Sequence, residues 1–194
     1  MNFLDSMMYI RFYKKNLKLR LLKKFFDLDF EGRFKEKNPL FNGYEGCYPV
    51  GGILRKLKIS ENDSILDIGC GKGLFLYYAR KFKFKTIDGV EYSKELFETA
   101  KTNAKKIGDS RIHLFNCDAR DFENYADYNF FFLCNPFSKE VMEVVISKIL
   151  ESYESNNRKI TVYYQFPFLK DLFVENGFKP KLCTFLHGVF VLET

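Results

Sequence analysis

The sequence has no tryptophan and only two histidines, and its five cysteines are scattered, with no C-x-x-C pair. An odd, scattered set of cysteines argues against a zinc site and against a secreted disulfide framework. No window approaches the ~20 apolar residues that a membrane-spanning helix requires. The first eleven residues also lack the basic segment and uninterrupted apolar stretch of a signal peptide. We therefore expect no metal site, no membrane span, and a reducing, cytoplasmic compartment.

The net charge of +6 is confined to the N-terminus. Residues 1–24 contain seven basic residues and one acid, Asp5, and the rest of the chain balances. A basic segment of this kind either contacts nucleic acid or is a helix whose lysines are solvated. We favour a helix that covers the main domain, because Phe12, Leu19, Leu22 and Phe26 fall on one helical stripe.

From about residue 60 onward, short β-rich runs alternate with helical periodicity, which is typical of a parallel sheet with crossover helices. The predicted strands are 64–68, 85–90, 111–116, 129–134, 159–164, 180–186 and 189–193. The predicted helices between them are 73–81, 93–108, 138–151 and 168–175. His187-Gly188 separates the last two strands, which predicts an antiparallel hairpin with its turn at these two residues.

The sequence thus predicts an α/β fold: a doubly wound, mostly parallel seven-stranded sheet with a C-terminal antiparallel hairpin. A helical and loop segment, residues 1–46, precedes it, with a helix at 12–26 and a loop at 27–46. We expect this segment to act as a lid or substrate-side cap, and residues 47–194, which begin with a short helix at 49–57, to form the cofactor-binding domain.

The strongest motif is Ile-Leu-Asp-Ile-Gly-Cys-Gly-Lys-Gly at residues 65–73. A buried strand runs into glycines that let the backbone approach a ligand closely, where a helix N-terminus offers free N–H groups. Such a turn at the carboxyl edge of a doubly wound sheet is a nucleotide-cofactor site. A dinucleotide fingerprint would require a third small residue at position 74, which is Leu74. This spacing disfavours a nicotinamide-dependent oxidoreductase.

Asp67-x-Gly69-x-Gly71-x-Gly73 resembles the first motif of class I S-adenosylmethionine (SAM) dependent methyltransferases, whose fold is Rossmann-like. Two further acids, Glu91 and Asp118, end the second and third predicted strands, as in that family. The resemblance implies that Asp67 contacts the methionine amino group, Glu91 holds the ribose hydroxyls and Asp118 accepts the adenine amino group. The implied SAM-binding residues are Asp67, Gly69, Gly71, Gly73, Glu91, Asp118 and Ala119. The resemblance extends from about residue 48 to the end of the chain and includes the closing hairpin.

Asn135-Pro136-Phe137, after the fourth predicted strand, resembles the (D/N)-P-P-(Y/F) motif of amino-group methyltransferases. There the amide accepts a hydrogen bond from the target amino group, and the aromatic ring stacks on the target. This chain has one proline instead of two, so a strand-ending turn with Phe137 packed on the cofactor is an equal alternative. In either case Asn135 and Phe137 are the residues expected at the methyl-transfer centre.

Weaker candidates remain near the same edge. Tyr44 and Tyr48 could line the methionine end of the cofactor site, and residues 165–168 could border the acceptor. His113 and His187 are better explained as a strand and a turn residue than as general bases. We therefore expect a methyltransferase whose acceptor is unidentified, an amino nitrogen being one option. The alternatives are a non-catalytic SAM-binding module and an RNA or DNA amino-methyltransferase that uses the basic N-terminus.

Overall fold

The computed structural model describes residues 3–35 and 37–193, and for residues 3–14 it describes the backbone alone. Within these residues the chain forms one seven-stranded sheet with the order β3-β2-β1-β4-β5-β7-β6. Strands β1 to β5 run parallel, and β7 lies antiparallel to both β5 and β6. The strands are β1 Ser64–Ile68, β2 Thr86–Val90, β3 Ile112–Phe115, β4 Phe130–Cys134, β5 Ile160–Gln165, β6 Lys179–Cys183 and β7 His187–Leu192. The predicted fold class is confirmed.

Helices cover both faces of the sheet, which is the arrangement that parallel sheets require. They are α1 Phe3–Phe26, α2 Gly51–Leu54, α3 Leu74–Ala79, α4 Lys94–Ile107, α5 Lys139–Ser155 and α6 Lys170–Glu175, with a 3-10 turn at Asn124–Asp127. The helix α4 has the start and stop that its sequence predicts. The Ser93 hydroxyl accepts a hydrogen bond from the Leu96 amide, and Gly108 closes the helix at φ 67°.

Strand β1 lies between β2 and β4, so the chain winds in opposite directions from this pair of strands. A crevice therefore opens at the carboxyl ends of β1 and β4, where doubly wound sheets bind ligands. Phe131 and Phe132 in the middle of β4 are fully buried and point into the two opposite core clusters. The apolar sequence of β4 thus reflects a strand covered on both faces.

The predicted hairpin turn at His187-Gly188 is wrong, although the antiparallel pairing itself is confirmed. Both residues belong to β7, and the turn lies at residues 184–186. Thr184 closes it: its amide donates to the His187 carbonyl at 2.8 Å, and its hydroxyl accepts from the His187 amide at 3.0 Å. A threonine hydroxyl that bonds locally to the backbone supplies the turn without requiring glycine at its centre.

Helix α1 packs on the domain through Leu19 and Leu22, which are buried in the same cluster as α3. The predicted stripe is wrong at Phe26, which is 66 % exposed, and the Phe12 side chain lies outside the described residues. It begins earlier than predicted, at Phe3, whereas α2 and α6 are shorter than predicted. Residues 37–48, here called the strap, follow it and cross the carboxyl edge of the sheet. The strap is fixed by isolated β-bridges from Tyr44 to Phe34 and from Phe41 to Phe137. No helix in the described part of the chain is long and apolar enough to cross a membrane.

Candidate active site

A cavity of about 670 Å³ opens at the carboxyl edge of the sheet, beneath the strap. This volume lies within the range of small-molecule and cofactor sites. Seven of the nine residues that the sequence proposes for the site line the cavity: Asp67, Gly69, Gly71, Glu91, Ala119, Asn135 and Phe137. The other two, Gly73 and Asp118, lie outside its lining.

Asp67 is a buried carboxylate in the cavity wall. Only 2 % of the Asp67 surface is exposed to solvent, and the residue lines the cavity. Among the residues that the structure describes, none donates a hydrogen bond to its carboxylate. Burial first, and then the neighbouring charge of Glu91, raise the pKa of Asp67 well above its usual range. A buried carboxylate that faces a cavity without a protein donor is suited to a cationic ligand group.

Glu91 joins the end of β2 to the glycine turn. Its carboxylate accepts hydrogen bonds from the Gly71 amide at 2.7 Å and from the Ser93 amide at 2.8 Å. Glu91 therefore orders the turn and also lines the cavity.

The three glycines of the turn adopt positive φ, at 79°, 56° and 81°. A Cβ on Gly69 would lie 2.7 Å from the Pro136 Cβ, and a Cβ on Gly71 would overlap the Tyr44 ring. These two glycines therefore allow β4 and the strap to approach the turn, which is a packing role in addition to any ligand contact. Gly73 is the residue before α3, so the helix starts one residue later than predicted.

Asp118 is bound by its own loop. Its carboxylate accepts three hydrogen bonds from Arg120: from the backbone amide at 2.9 Å, from Nε at 3.1 Å and from Nη2 at 2.7 Å. Burial opposes its ionisation, but the Arg120 hydrogen bonds outweigh this and lower the pKa of Asp118. The flanking Cys117 and Ala119 line the cavity instead. Sequence spacing gave no indication of this Arg120 clamp.

The ends of β4 and β5 are strained. Asn135 and Phe166, each directly after its strand, have φ 46° and 54°, a region that non-glycine residues rarely adopt. Both line the cavity, and strain of this kind clusters at functional sites. The Asn135 side chain is oriented by Tyr164, whose hydroxyl donates to its Oδ1 at 3.3 Å, while the Asn42 side chain donates to the Asn135 carbonyl at 2.9 Å.

Phe137 is 4 % exposed and belongs to the core cluster under the β1–β4 crevice. Its ring lies beside Gly69, with Cε1 3.9 Å from the position of a Cβ there, and meets the Phe41 ring edge-on at 5.9 Å. A ring buried in this way packs against the glycine turn and borders the cavity from the side of β1.

Lys15 of α1 is a cavity residue that sequence analysis missed. It is 2 % exposed, and its ammonium donates to the Glu45 and Gly46 carbonyls at 3.1 and 3.4 Å. Its Nζ also lies 4.8 Å from the centroid of the Tyr48 ring. Burial lowers the pKa of Lys15. The charge pattern of α1 could not single out this lysine, because its role depends on the path of a strap with no regular structure.

The remaining candidates fall into two groups. Tyr44 and Tyr48 line the cavity, as do Phe166 and Phe168. Neither histidine is part of the described cavity wall. The His113 ring bonds to Asp88 at 2.8 Å, and the His187 ring pairs with the Tyr163 hydroxyl at 2.9 Å.

Comparison with known proteins agrees with this geometry. A family model described as a methyltransferase domain matches residues 65–155, which include the turn, the two strand-end acids and Asn135. This match, together with the fold, supports the class I SAM-dependent methyltransferase superfamily. SAM is the cofactor of this superfamily.

The curated relatives are partial matches. A probable cobalt-precorrin-6B C(15)-methyltransferase (decarboxylating) of Methanococcus maripaludis is 28 % identical over 103 residues, 52 % of this chain and 56 % of the relative. EEF1A lysine methyltransferase 2 of Homo sapiens is 37 % identical over 73 residues, which cover 38 % of this chain and 30 % of that protein. This methyltransferase-family chain thus spans about half the length, or less, of the relatives it matches.

Solved structures share the fold. A SAM-dependent methyltransferase from Aquifex aeolicus superposes with a TM-score of 0.59 at 13 % identity, over 74 % of this chain and 88 % of that one. At this identity the likeness establishes the fold of the class I methyltransferase domain and nothing about the acceptor.

Proposed function

We propose that this chain is a SAM-dependent methyltransferase that transfers a methyl group to an acceptor held at the ends of β4 and β5. The observation that carries the proposal is Asp67. Its buried carboxylate faces the cavity without a donor from the described protein, next to a glycine turn. The α-amino group of SAM is a cation that can donate hydrogen bonds to such a carboxylate.

The other cavity residues fit the rest of the cofactor. Glu91 lines the cavity at the end of β2, and a carboxylate can accept hydrogen bonds from ribose hydroxyls. The wall beyond it, formed by Tyr92, Leu96 and Ala119, offers ring and aliphatic surface for a flat base. Because Asp118 is already engaged by Arg120, we place it beside the base as a support, and recognition of the adenine amino group by Asp118 remains a prediction.

SAM supplies an electrophilic methyl group, and the protein supplies alignment and exclusion of water. The strap covers the cavity, and Lys15 binds two strap carbonyls, so both contribute to excluding solvent. Asn135 lies on the acceptor side with its amide oriented by Tyr164. No strong general base is required when the acceptor is already a nucleophile, which is consistent with histidines that lie away from the cavity.

For the acceptor we propose a nucleophile aligned by the Asn135 amide, an amino nitrogen being the chemistry that this group accepts most directly. The buried ring of Phe137 favours the packing role over stacking on the acceptor. The named relatives act on different molecules, a precorrin in one case and a lysine of EEF1A in another, so they do not narrow the class.

Helix α1 supports the role of a cap over the site. Several of its basic side chains contact the domain: Lys15 reaches the strap, Lys18 lies 4.5 Å above the Tyr78 ring, and Arg20 lies 3.7 Å from Glu31. These contacts hold α1 against the domain, which supports a cap in preference to a free nucleic-acid-binding arm.

The first test is thermal unfolding with SAM, S-adenosylhomocysteine and NAD. At a hundredfold excess over Kd, a specific ligand should stabilise the fold by about 2.7 kcal/mol. We expect a rise in melting temperature with SAM and S-adenosylhomocysteine and none with NAD. A shift with NAD alone would overturn the proposed cofactor site.

The second test is incubation with methyl-labelled SAM and fractionated lysate of the source organism. Label in protein, nucleic acid, lipid or small-molecule fractions would identify the acceptor class, and an Asn135→Ala protein is the matched control. Tight SAM binding with no labelled fraction would instead favour a non-catalytic SAM-binding module.

A further inference from the structure

Helix α1 has a second apolar stripe that faces away from the domain. Leu17, Leu21 and Phe25 recur at intervals of four residues, so they lie on one side of the helix. Their exposed fractions are 48 %, 46 % and 66 %. Leu19 and Leu22 lie on another side of the helix and are buried. The helix therefore presents one apolar face to the core and another to its surroundings.

Basic side chains flank this outer stripe. At 100° per residue, Arg20 and Lys24 lie beside the Leu17–Phe25 line on one side. Lys18 lies on the other side, where its ammonium contacts the Tyr78 ring of the domain. Residues 15–26 contain no acid, and the whole net charge of +6 lies within residues 1–24. The Arg20 side chain is 76 % exposed, and its ion pair with Glu31 is long, at 3.7 Å. Such an exposed pair is weak and leaves most of the positive potential in place.

An exposed apolar stripe flanked by lysine and arginine matches an anionic lipid surface. A helix of this kind lies in the plane of the interface, with its apolar side chains among the acyl chains and its basic side chains at the headgroups. We propose that the Leu17–Leu21–Phe25 face of α1 docks the protein on an anionic membrane surface. The proposal does not depend on the cofactor or the acceptor.

Two other occupants fit the observations less well. A second copy of the chain would bring one acid-free basic helix against another, and the like charges would repel. RNA or DNA would neutralise the lysines but leave the apolar stripe in water, since phosphate contacts are polar. A stripe of three side chains over ~12 Å of helix is also smaller than a stable protein interface requires, at about 800 Å² per partner.

The test is co-sedimentation of the full chain with vesicles of phosphatidylcholine, with and without phosphatidylglycerol. We expect binding to the anionic vesicles and little binding to phosphatidylcholine alone. The double variant Leu21→Gln, Phe25→Ser should lose at least tenfold in partitioning, and Lys24→Gln should lose roughly fivefold, the value of one basic residue near an anionic surface.

Phe185→Ser is the matched control, because Phe185 is 65 % exposed but belongs to the hairpin turn and not to α1. It should bind vesicles like the parent protein. Melting temperature with and without SAM checks that every variant is folded, and it separates this proposal from the proposed function.

Unchanged vesicle binding by the double variant would overturn the proposal. So would equal binding to both vesicle types, or no binding to either. A dimer in light scattering that the double variant abolishes would assign the stripe to a second copy, and an RNA gel shift that the double variant abolishes would assign it to nucleic acid. Either result would also overturn membrane docking.

Discussion

The cofactor end and the acceptor end of the cavity are held by different parts of the chain. At the cofactor end, the glycine turn is tied to the end of the adjacent strand β2: the Gly69 and Cys70 amides both donate to the Val90 carbonyl at 2.9 Å, and the Gly71 amide donates to the Glu91 carboxylate. At the acceptor end, Asn135 and Phe166 adopt strained positive φ. A backbone bond to Leu186 holds Phe166, whereas the side chains of Tyr164 and Asn42 hold Asn135. These side chains come from distant parts of the chain, such as Asn42 in the strap.

This difference has a functional consequence. A site fixed by adjacent strand ends keeps its geometry when loops change, whereas a site held partly by the strap changes with that segment. The same cofactor end can therefore serve many acceptors. Substitutions at the cofactor end should therefore change the affinity for SAM. Substitutions at the acceptor end should change turnover.

The largest effect is expected at Asp67. Asp67→Asn removes the buried carboxylate proposed for the SAM amino group, and loss of a charge-assisted hydrogen bond at about 1.5–3 kcal/mol corresponds to a ten- to hundredfold rise in Kd. Calorimetry with 5′-methylthioadenosine, which lacks the amino-acid part, is the control. Its affinity should be unchanged, and an equal loss for both ligands would show that Asp67 acts on the shape of the site instead.

Asp67 also predicts a pH dependence. Burial and the charge of Glu91 raise the pKa of Asp67, so its contribution to stability is fully present below its unfolded-state pKa and is lost as pH rises through the raised pKa. We expect SAM affinity to fall as pH is lowered through that same pKa, because the protonated acid cannot pair with the amino group. Asp67→Asn should abolish this dependence, and the melting temperature of the apo protein at pH 7 should not decrease.

The acceptor end should respond in turnover. Asn135→Ala should leave the SAM Kd unchanged and lower kcat tenfold or more, since alignment at the reacting centre is lost. Tyr164→Phe should lower kcat less, because it removes only the hydroxyl that orients the amide. Burial raises the pKa of Tyr164 to about 12, so this hydroxyl stays a donor at neutral pH. A change in Kd without a change in kcat would remove Asn135 from the transfer step.

Glu91 and Asp118 test the boundary of the cofactor end. Glu91 lines the cavity and bonds the glycine turn, whereas Asp118 lies outside the lining and is bound by Arg120. We expect Glu91→Ala to weaken SAM binding about tenfold, from the loss of one or two hydrogen bonds, and Asp118→Ala to weaken it less. Calorimetry measures the SAM affinity of both variants. An equal loss of affinity would indicate that Asp118 contacts the adenine base directly.

The sequence could predict the cofactor end because its information is local. Strand β1 and the glycines follow from hydrophobic runs, spacing and the rule that parallel strand ends meet at one edge, and Glu91 follows from the resemblance to class I methyltransferases. Lys15 and Tyr164 could not be found in this way. Lys15 binds the carbonyls of the irregular strap, and Tyr164 orients the strained Asn135. Neither hydrophobic periodicity nor turn residues predict the course of the backbone at these two places. The predicted hairpin turn was misplaced for a similar reason, because local hydrogen bonds of Thr184 close the turn and Gly188 lies in β7.

The smallest effect is expected at Lys15, and it tests whether the strap is held over the cavity. Lys15→Met keeps the aliphatic bulk but removes the bonds to the Glu45 and Gly46 carbonyls, which are 3.1 and 3.4 Å long. Because the ammonium is buried and its pKa lowered, it makes only a modest net contribution to stability, and a few-fold faster dissociation of SAM is the expected result. Lys18→Met is the control on the same helix, since Lys18 contacts the Tyr78 ring and does not line the cavity.

Stopped-flow displacement of bound SAM by S-adenosylhomocysteine measures the SAM dissociation rate of both variants. If both variants release SAM equally fast, α1 acts through general packing on the domain. A faster rate in Lys15→Met alone shows that this lysine holds the strap over the bound cofactor.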